Sequence, residues 1–258
     1  MNVSVRQISL FTLILISLFI LTSLSFNYGT AIAQIKKLEN GWTTGSPMPS
    51  PRTEVTSVNL DDGVYVIGGF TSDNQNSAIV EMYNTTSNPW RTDITPLPVR
   101  LHHASSVSFQ NRIYVVGGYT GDSTPSNRLY IYDPKSNTLT QGAYTPTPRG
   151  SPNANVVNGK LYVIGGDLND QSLSVVESYD PRANRWTIQS PMPTSRHHAA
   201  SAVVGENVYV IGGRLNSSYE GTDIVEKYNP ISDEWTTDLE PMPSKRSGIG
   251  AATINGSI

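Results

Sequence analysis

Apolar residues in this chain come in short dense runs, each stopped by a glycine pair and followed by a long polar stretch. Val64-Tyr65-Val66-Ile67-Gly68-Gly69 recurs as Ile113-Tyr114-Val115-Val116-Gly117-Gly118, Leu161-Tyr162-Val163-Ile164-Gly165-Gly166 and Val208-Tyr209-Val210-Ile211-Gly212-Gly213. The first glycines stand 49, 48 and 47 residues apart (68 to 117, 117 to 165, 165 to 212). A period of that size marks a repeat architecture. Each run is aliphatic and aromatic and too short for a helix. It predicts a buried strand that ends where the backbone needs freedom at φ.

The copy from Arg196 onward shows one repeat most clearly. His197 to Val204 reads as a first strand, Gly205-Glu206-Asn207 as a turn, and Val208 to Ile211 as a second strand. A polar loop covers Arg214 to Thr222, Ile224 to Tyr228 is a third strand, and Asn229-Pro230-Ile231-Ser232-Asp233-Glu234 is built of turn formers. Trp235 to Asp238 is a fourth strand, after which Pro241-Met242-Pro243 leads to Arg246 and the cycle restarts. One four-stranded sheet of this size cannot stand alone. Stacked radially with its copies it closes a β-propeller, in which edges are short and protected.

Composition agrees. Among 258 residues there are 21 Gly and 17 Pro, many turns rather than long helices. Net charge is −3, so no basic surface invites nucleic acid, and no such partner is expected. Cys is absent, which removes disulfides, thiolate metal sites and Cys nucleophiles.

Two further features recur. The second glycine leads to Tyr83, Tyr132, Tyr179 and Tyr228 after 14, 14, 13 and 15 residues, and seven residues later stand Trp90, Leu139, Trp186 and Trp235. An Arg precedes each first strand: Arg52, Arg100, Arg149, Arg196 and Arg246. In these coupled features residues 42–258 resemble the kelch repeat family. The resemblance implies an all-β, kelch-type β-propeller of four-stranded antiparallel blades, with the Tyr and Trp rings filling the wedges between blades. Leu139 departs from the pattern and implies a looser outer strand in the second repeat. Four blades are complete. Trp42 to Pro49 reads as an outer strand without inner partners, and Arg246 to Ile258 as a first strand alone. The propeller is therefore expected to be incomplete at the carboxy terminus, a fragment of a six-bladed ring rather than a five-bladed one.

Ahead of the repeats, Arg6 precedes an apolar run over residues 10–26, and Ala31-Ile32-Ala33 follows. Residues 1–33 read as a secretory signal peptide, with an uncleaved membrane tether through residues 10–26 as the alternative. Residues 34–41 read as a linker, and the propeller is expected outside the cytoplasm, secreted or at the cell surface.

Candidate chemistry lies in the loops. The turns between third and fourth strands are uniform and read as scaffold. The loops after the glycine pairs (70–78, 119–127, 167–173, 214–222) vary in length and are rich in Asn, Asp, Ser and Thr, as recognition loops on a rigid frame are. Asn216 and Tyr219 stand in the last of them. His103 and His198 both lie 14 residues before a first glycine, at equivalent sites near the mouth of the channel. They suit a metal or proton-transfer site, or a plain hydrogen bond to a loop. The matching residues Glu54 and Ser151 supply only one further ligand, so no metal and no cofactor is assigned. Arg52, Arg100, Arg149, Arg196 and Arg246 suit a cationic ring for a carboxylate, or structural ties to a neighbouring blade. Asn84, Asn216 and Asn255 open Asn-x-Ser/Thr triplets. The expected function is a binding module for a protein or glycan ligand, with no catalytic residue assigned. The alternative is an enzyme resembling the periplasmic sialic acid mutarotase, using channel Arg and His. A galactose-oxidase-like copper site is excluded by the absence of Cys.

Overall fold

The computed structural model describes residues 44–121, 123–216 and 219–258. The expected signal peptide or tether, the linker and Trp42 lie outside the described residues. The chain divides into two compact units, Met1–Ser46 and Pro47–Ile258, and among the described residues every strand belongs to the second.

The first repeat runs β1 (Arg52–Thr53), β2 (Thr56–Leu60), β3 (Gly63–Ile67), β4 (Phe70–Thr71), β5 (Val80–Asn84) and β6 (Trp90–Arg91). The second is β7 (Ser105–Phe109), β8 (Arg112–Val116), β9 (Leu129–Asp133) and β10 (Thr138–Gln141). The third is β11 (Asn153–Val157), β12 (Lys160–Ile164), β13 (Asp167–Leu168), β14 (Gln171–Ser172), β15 (Val176–Asp180) and β16 (Arg185–Gln189). The fourth is β17 (Ala200–Val204), β18 (Asn207–Ile211), β19 (Val225–Asn229) and β20 (Glu234–Thr236). Four four-stranded antiparallel blades result: β2-β3-β5-β6, β7-β8-β9-β10, β11-β12-β15-β16 and β17-β18-β19-β20. The short strands form two ribbons on the loop side, β1 with β4 and β13 with β14.

Successive blades meet at their innermost strands, through small polar side chains rather than a shared ladder. Thr56 Oγ1 lies 2.7 Å from Ser106 Oγ, Ser105 Oγ accepts from Ala154 N at 3.1 Å, and Asn155 Nδ2 donates to Ser201 Oγ at 2.9 Å. Farther out the interfaces are apolar. Tyr65 and Ile67 of the first blade pack with Ile113, Val115, Tyr130 and Tyr132 of the second. Tyr114 and Val116 pack with Leu161, Val163 and Tyr179 of the third. Tyr162 and Ile164 pack with Val208, Val210 and Tyr228 of the fourth. The middle blades' second strands are thus covered on both faces, which is why they read as unbroken apolar runs rather than alternating ones.

The glycine pair is a latch between blades. The second glycine's N–H donates to a carbonyl of the next repeat: Gly69 to Leu101 (2.8 Å), Gly118 to Arg149 (3.0 Å), Gly166 to Arg196 (3.1 Å) and Gly213 to Arg246 (2.9 Å). The first glycine sits at φ 63–69° with that same carbonyl against it; a Cβ on Gly165 would stand 2.6 Å from the Arg196 oxygen. Both the backbone sign and the approach therefore demand glycine there.

The expected aromatic ladder is also an anchor. Tyr132, Tyr179 and Tyr228 donate their hydroxyls to Asn137, Asn184 and Asp233 (2.9, 2.7 and 2.6 Å). The same side-chain oxygens accept backbone N–H groups of the preceding repeat, from Thr95, Ala143 and Ser190. Trp186 and Trp235 send their indole N–H to Ala143 and Ser190 carbonyls. Leu139 has no such donor, but the looser outer strand expected there is not found. β10 pairs over four residues with β9, more than β6 or β20 pair in their blades. The backbone ladder sets strand pairing, and Leu139 packs into the interface with the first blade.

Other strand boundaries shift by a few residues. His197 and His198 precede β17 rather than opening it, because His198 is left-handed at φ 52°. Among the described residues, neither end segment forms its expected strand. Residues 44–49 and 246–253 carry no strand, since neither has an inner hairpin to pair with among the described residues. The 248–253 stretch lies along the fourth blade, with Gly248 N donating to His198 O (2.9 Å) and Thr253 Oγ1 to Val203 O (2.7 Å).

Candidate functional site

Two rings of equivalent residues converge at the loop-side mouth of the channel. The inner ring is Glu54, His103, Ser151 and His198, with φ of 50°, 52°, 48° and 52°. A left-handed backbone at four non-glycine positions is costly unless the surroundings enforce it. Here hydrogen bonds from repeat to repeat do so: His103 N donates to Glu54 O (3.1 Å) and Ser151 N to His103 O (2.9 Å). The turn aims the four side chains at one another. His103 Nε2 lies 3.1 Å from Glu54 Oε2, His198 Nε2 lies 3.4 Å from Ser151 Oγ, and the two imidazole centres are 5.0 Å apart.

The outer ring is the residue after each glycine pair: Phe70, Tyr119, Asp167 and Arg214. Each is bridged in antiparallel fashion to the residue before the inner-ring position, namely Thr53, His102, Gly150 and His197. A Cβ on Gly150 would run into the Tyr119 ring, so this glycine lets Tyr119 lie across it and donate a hydrogen bond from its hydroxyl to Asp167. Phe70 and Tyr119 sandwich His102, at ring-centre distances of 4.1 and 5.3 Å.

Burial governs the electrostatics. It pushes His102 and His103 down to about 4, helped by the neighbouring His103 for the one and by Arg214 for the other. It pushes His198 to about 3, with the charges of His197, His103 and Arg214 adding to the effect. All three are neutral imidazoles at neutral pH. Burial likewise raises Asp167, against the Tyr119 hydrogen bond and His197, which lies 3.7 Å away. Burial also raises the Tyr119 phenol.

Beside these rings opens a cavity of about 350 Å³ lined by Tyr119, Asp167, Asp170, His197, His198, Arg214, Asn216 and Tyr219. Tyr219 is 86% exposed, and the Arg214 guanidinium lies over its ring at 5.4 Å. Asn216 is fixed by its own backbone: its N–H reaches Ser172 Oγ (2.6 Å) and its carbonyl meets His197 Nε2 (3.0 Å). A second hollow shares Tyr119 and Asp170 and adds His102, Ser123, Pro125 and Asn169. Aromatic faces, carboxylates, a guanidinium and amide groups together suit a polar ligand with an apolar face.

The expected site residues separate into two sets. His198, Asn216 and Tyr219 line the cavity, and His103 stands beside it in the inner ring. The arginines do not form a cationic ring. Arg52, Arg149 and Arg196 are buried beneath the glycine pairs and ion-paired to Glu81 (2.8 Å), Glu177 (2.5 Å) and Glu226 (3.0 Å). They also donate to carbonyls of the second strand or of the glycine pair, such as Gly68 (2.7 Å), Gly165 (3.2 Å) and Val210 (3.1 Å). Arg246 is exposed and reaches Ser244. Arg100 is not the matching residue at all. Counted 16 residues back from Gly117, the equivalent position is Leu101, and Arg100 is exposed beside the 71–79 loop. Residues that the sequence reading passed over are Tyr119, Asp167, Arg214, His102 and His197. A signal existed: each stands next to a repeat landmark, directly after a glycine pair or directly before the inner-ring position.

Residues 91–258 match the KLHDC2/KLHL20/DRC7 Kelch-repeats domain, and residues 51–92 match the Kelch motif. The chain is similar to Kelch-like protein 26 of Danio rerio, at 37% identity over 54 residues, 20% of this chain and 9% of that protein. Among solved structures, YjhT superposes with a TM-score of 0.68 at 20% identity, covering 80% of this chain and 70% of that one. At that identity the likeness speaks for the fold.

Proposed function

Because the chain belongs to the kelch-repeat family, we propose that it is a recognition module that takes a protein or glycan ligand on its loop face, and that the occupant of the loop-face cavity is a glycan. One observation carries the reading: the cavity of about 350 Å³ sets the exposed Tyr219 ring and the Tyr119 ring among Asp170, Arg214 and Asn216. Sugars offer both an apolar face for stacking and a ring of hydroxyls for such partners. The test is a glycan-array screen followed by titration of the best hit. Tyr219→Ala, which touches no core residue, is expected to weaken binding by about 1–2 kcal/mol with melting unchanged, in line with loss of one stacking contact. A Tyr219→Ala variant that binds its best glycan as tightly as the wild type overturns the reading. If no glycan on the array binds and affinity capture instead returns a protein partner whose binding is lost on a swap of the 214–222 loop, the protein-binding form of the reading stands.

A second reading is a carbohydrate-active enzyme of the mutarotase type. The observation favouring it is the cluster of Asp167, Tyr119, His197 and Arg214 at one cavity wall, with Asp167 raised by burial as a general acid requires. Its working arginine would be Arg214, which lines this cavity, because Arg52, Arg149 and Arg196 are consumed by their glutamates and Arg100 and Arg246 lie outside its lining. Anomer exchange lost in Asp167→Asn with folding intact supports it, and unchanged exchange removes it.

We also place the protein outside the cytoplasm. The apolar run at 10–26 and Ala31-Ile32-Ala33 support this. Amino-terminal sequencing of the exported product distinguishes cleavage after Ala33 from a retained tether.

A further inference from the structure

We propose that Glu54, His103 and His198 form a binding site for one divalent transition-metal ion, Zn²⁺ above all, at the channel mouth, with one coordination position left open. The nearest ligand atoms of the three side chains lie within 4.8 Å of one another. A tetrahedral zinc with bonds of about 2.1 Å puts its ligands about 3.4 Å apart, so side-chain rotations of about an ångström close the site. Two histidines and one carboxylate are a recognised zinc donor set, with the remaining position held by water or an incoming oxygen. Ser151 Oγ, the fourth group of the inner ring, lies 3.4 Å from His198 Nε2.

Two independent features distinguish this cluster from a chance meeting of polar groups. First, the ligands come from three different repeats, and each is aimed inward by a left-handed backbone turn that only a few residue types tolerate. Second, each ligand histidine has its other nitrogen engaged by the histidine preceding it in sequence. His103 Nδ1 meets His102 Nδ1 at 2.5 Å, and His198 Nδ1 meets His197 Nδ1 at 2.5 Å. Such a contact needs one N–H and one lone pair. When His103 and His198 are the donors, their Nε2 lone pairs point at the channel mouth, which is the tautomer a metal requires. Metal-bound histidines are generally oriented by donating the far N–H to an acceptor, usually a carboxylate, carbonyl or water, and here a neighbouring imidazole takes that place. Without metal, the other tautomer of His103 gives its Nε2–H to Glu54 at 3.1 Å, and coordination replaces that hydrogen bond. The opposing charge is Arg214. Its guanidinium is turned aside by a hydrogen bond to Ser247 Oγ (3.1 Å) and by the Tyr219 ring, and Asp167 stands on the same wall.

The site does not depend on the loop cavity accepting a sugar. The experiment uses the tag-free chain, stripped with chelator and dialysed against Zn²⁺, with bound metal measured by mass spectrometry. The expected result is one ion per chain. Co²⁺ in its place is expected to give the intense visible absorption of a four-coordinate centre. Glu54→Gln, a change at an exposed side chain, is expected to weaken Zn²⁺ binding by at least about tenfold, and His103→Asn and His198→Asn by more. Asn is chosen because it tolerates positive φ, so the turn survives the substitution. Wild type without stoichiometric zinc, or zinc uptake unchanged in both Glu54→Gln and His198→Asn, overturns the proposal.

Discussion

Arg149 illustrates how one residue position can be solved twice within a chain. Its guanidinium is fully buried against Glu177, and Thr147 Oγ1 donates to the same carboxylate at 2.7 Å. The fourth blade repeats the trio as Thr194, Arg196 and Glu226. In the second blade all three positions are apolar or aromatic: Val99, Leu101 and Tyr130 pack together in the interface. A buried ion pair and a well-packed apolar group of similar volume are close in net stability, whereas half of either is not. Arg149→Leu alone is therefore expected to cost about 3–5 kcal/mol by leaving Glu177 charged and unpaired. The combined Thr147→Val, Arg149→Leu and Glu177→Tyr replacement is expected to recover much of that loss. Urea unfolding of the two variants measures the difference, and a combined variant less stable than Arg149→Leu contradicts the account.

At the scale of the element, blades are joined by two devices that strand patterning does not reveal. Asn184 takes the Tyr179 hydroxyl and the Ala143 N–H at once, and its φ of 47° needs a residue that accepts the left-handed region. Asn184→Gly keeps the backbone and removes both hydrogen bonds, and is expected to cost about 1–3 kcal/mol. The latch glycines are less forgiving. Gly165→Leu is expected to abolish cooperative folding, because a side chain there meets a neighbouring blade's backbone. A cooperative melt near the wild-type temperature would show the close approach to be dispensable. Strand identities were legible at this scale because a short apolar run between a turn and a glycine pair has few other solutions. Strand ends were less so. β10 pairs over four residues, more than β6 or β20, although its Trp position holds Leu139, since pairing rests on backbone groups that every residue carries.

For the whole molecule, the channel mouth couples stability to pH. His102, His103 and His198 are neutral in the fold down to about 4, 4 and 3, while the unfolded chain takes up protons below about 6.5. The unfolded state therefore binds more protons between those limits, and stability falls as pH is lowered through that window. The metal-free protein is expected to hold a level melting temperature above about pH 6.5 and to lose about 2–4 °C for each kcal/mol surrendered below it. His198→Asn is expected to flatten the slope, and a melting temperature independent of pH from 7 to 4 would contradict the burial of these rings.

Sequence alone determined the period, the all-β blades, the glycine pairs and the equivalence of His103 with His198, because local patterning and repeat spacing report on backbone geometry directly. It placed Asn216 and Tyr219 in the variable loop after the fourth glycine pair by the same logic. Only the tertiary structure decided which equivalent positions meet. Arg52, Arg149 and Arg196 turn inward to Glu81, Glu177 and Glu226, Leu101 takes the place assigned to Arg100, and Glu54 closes on His103 of the next repeat. Such meetings depend on distances between blades, and those arise from packing around a shared axis rather than from any stretch of neighbouring residues.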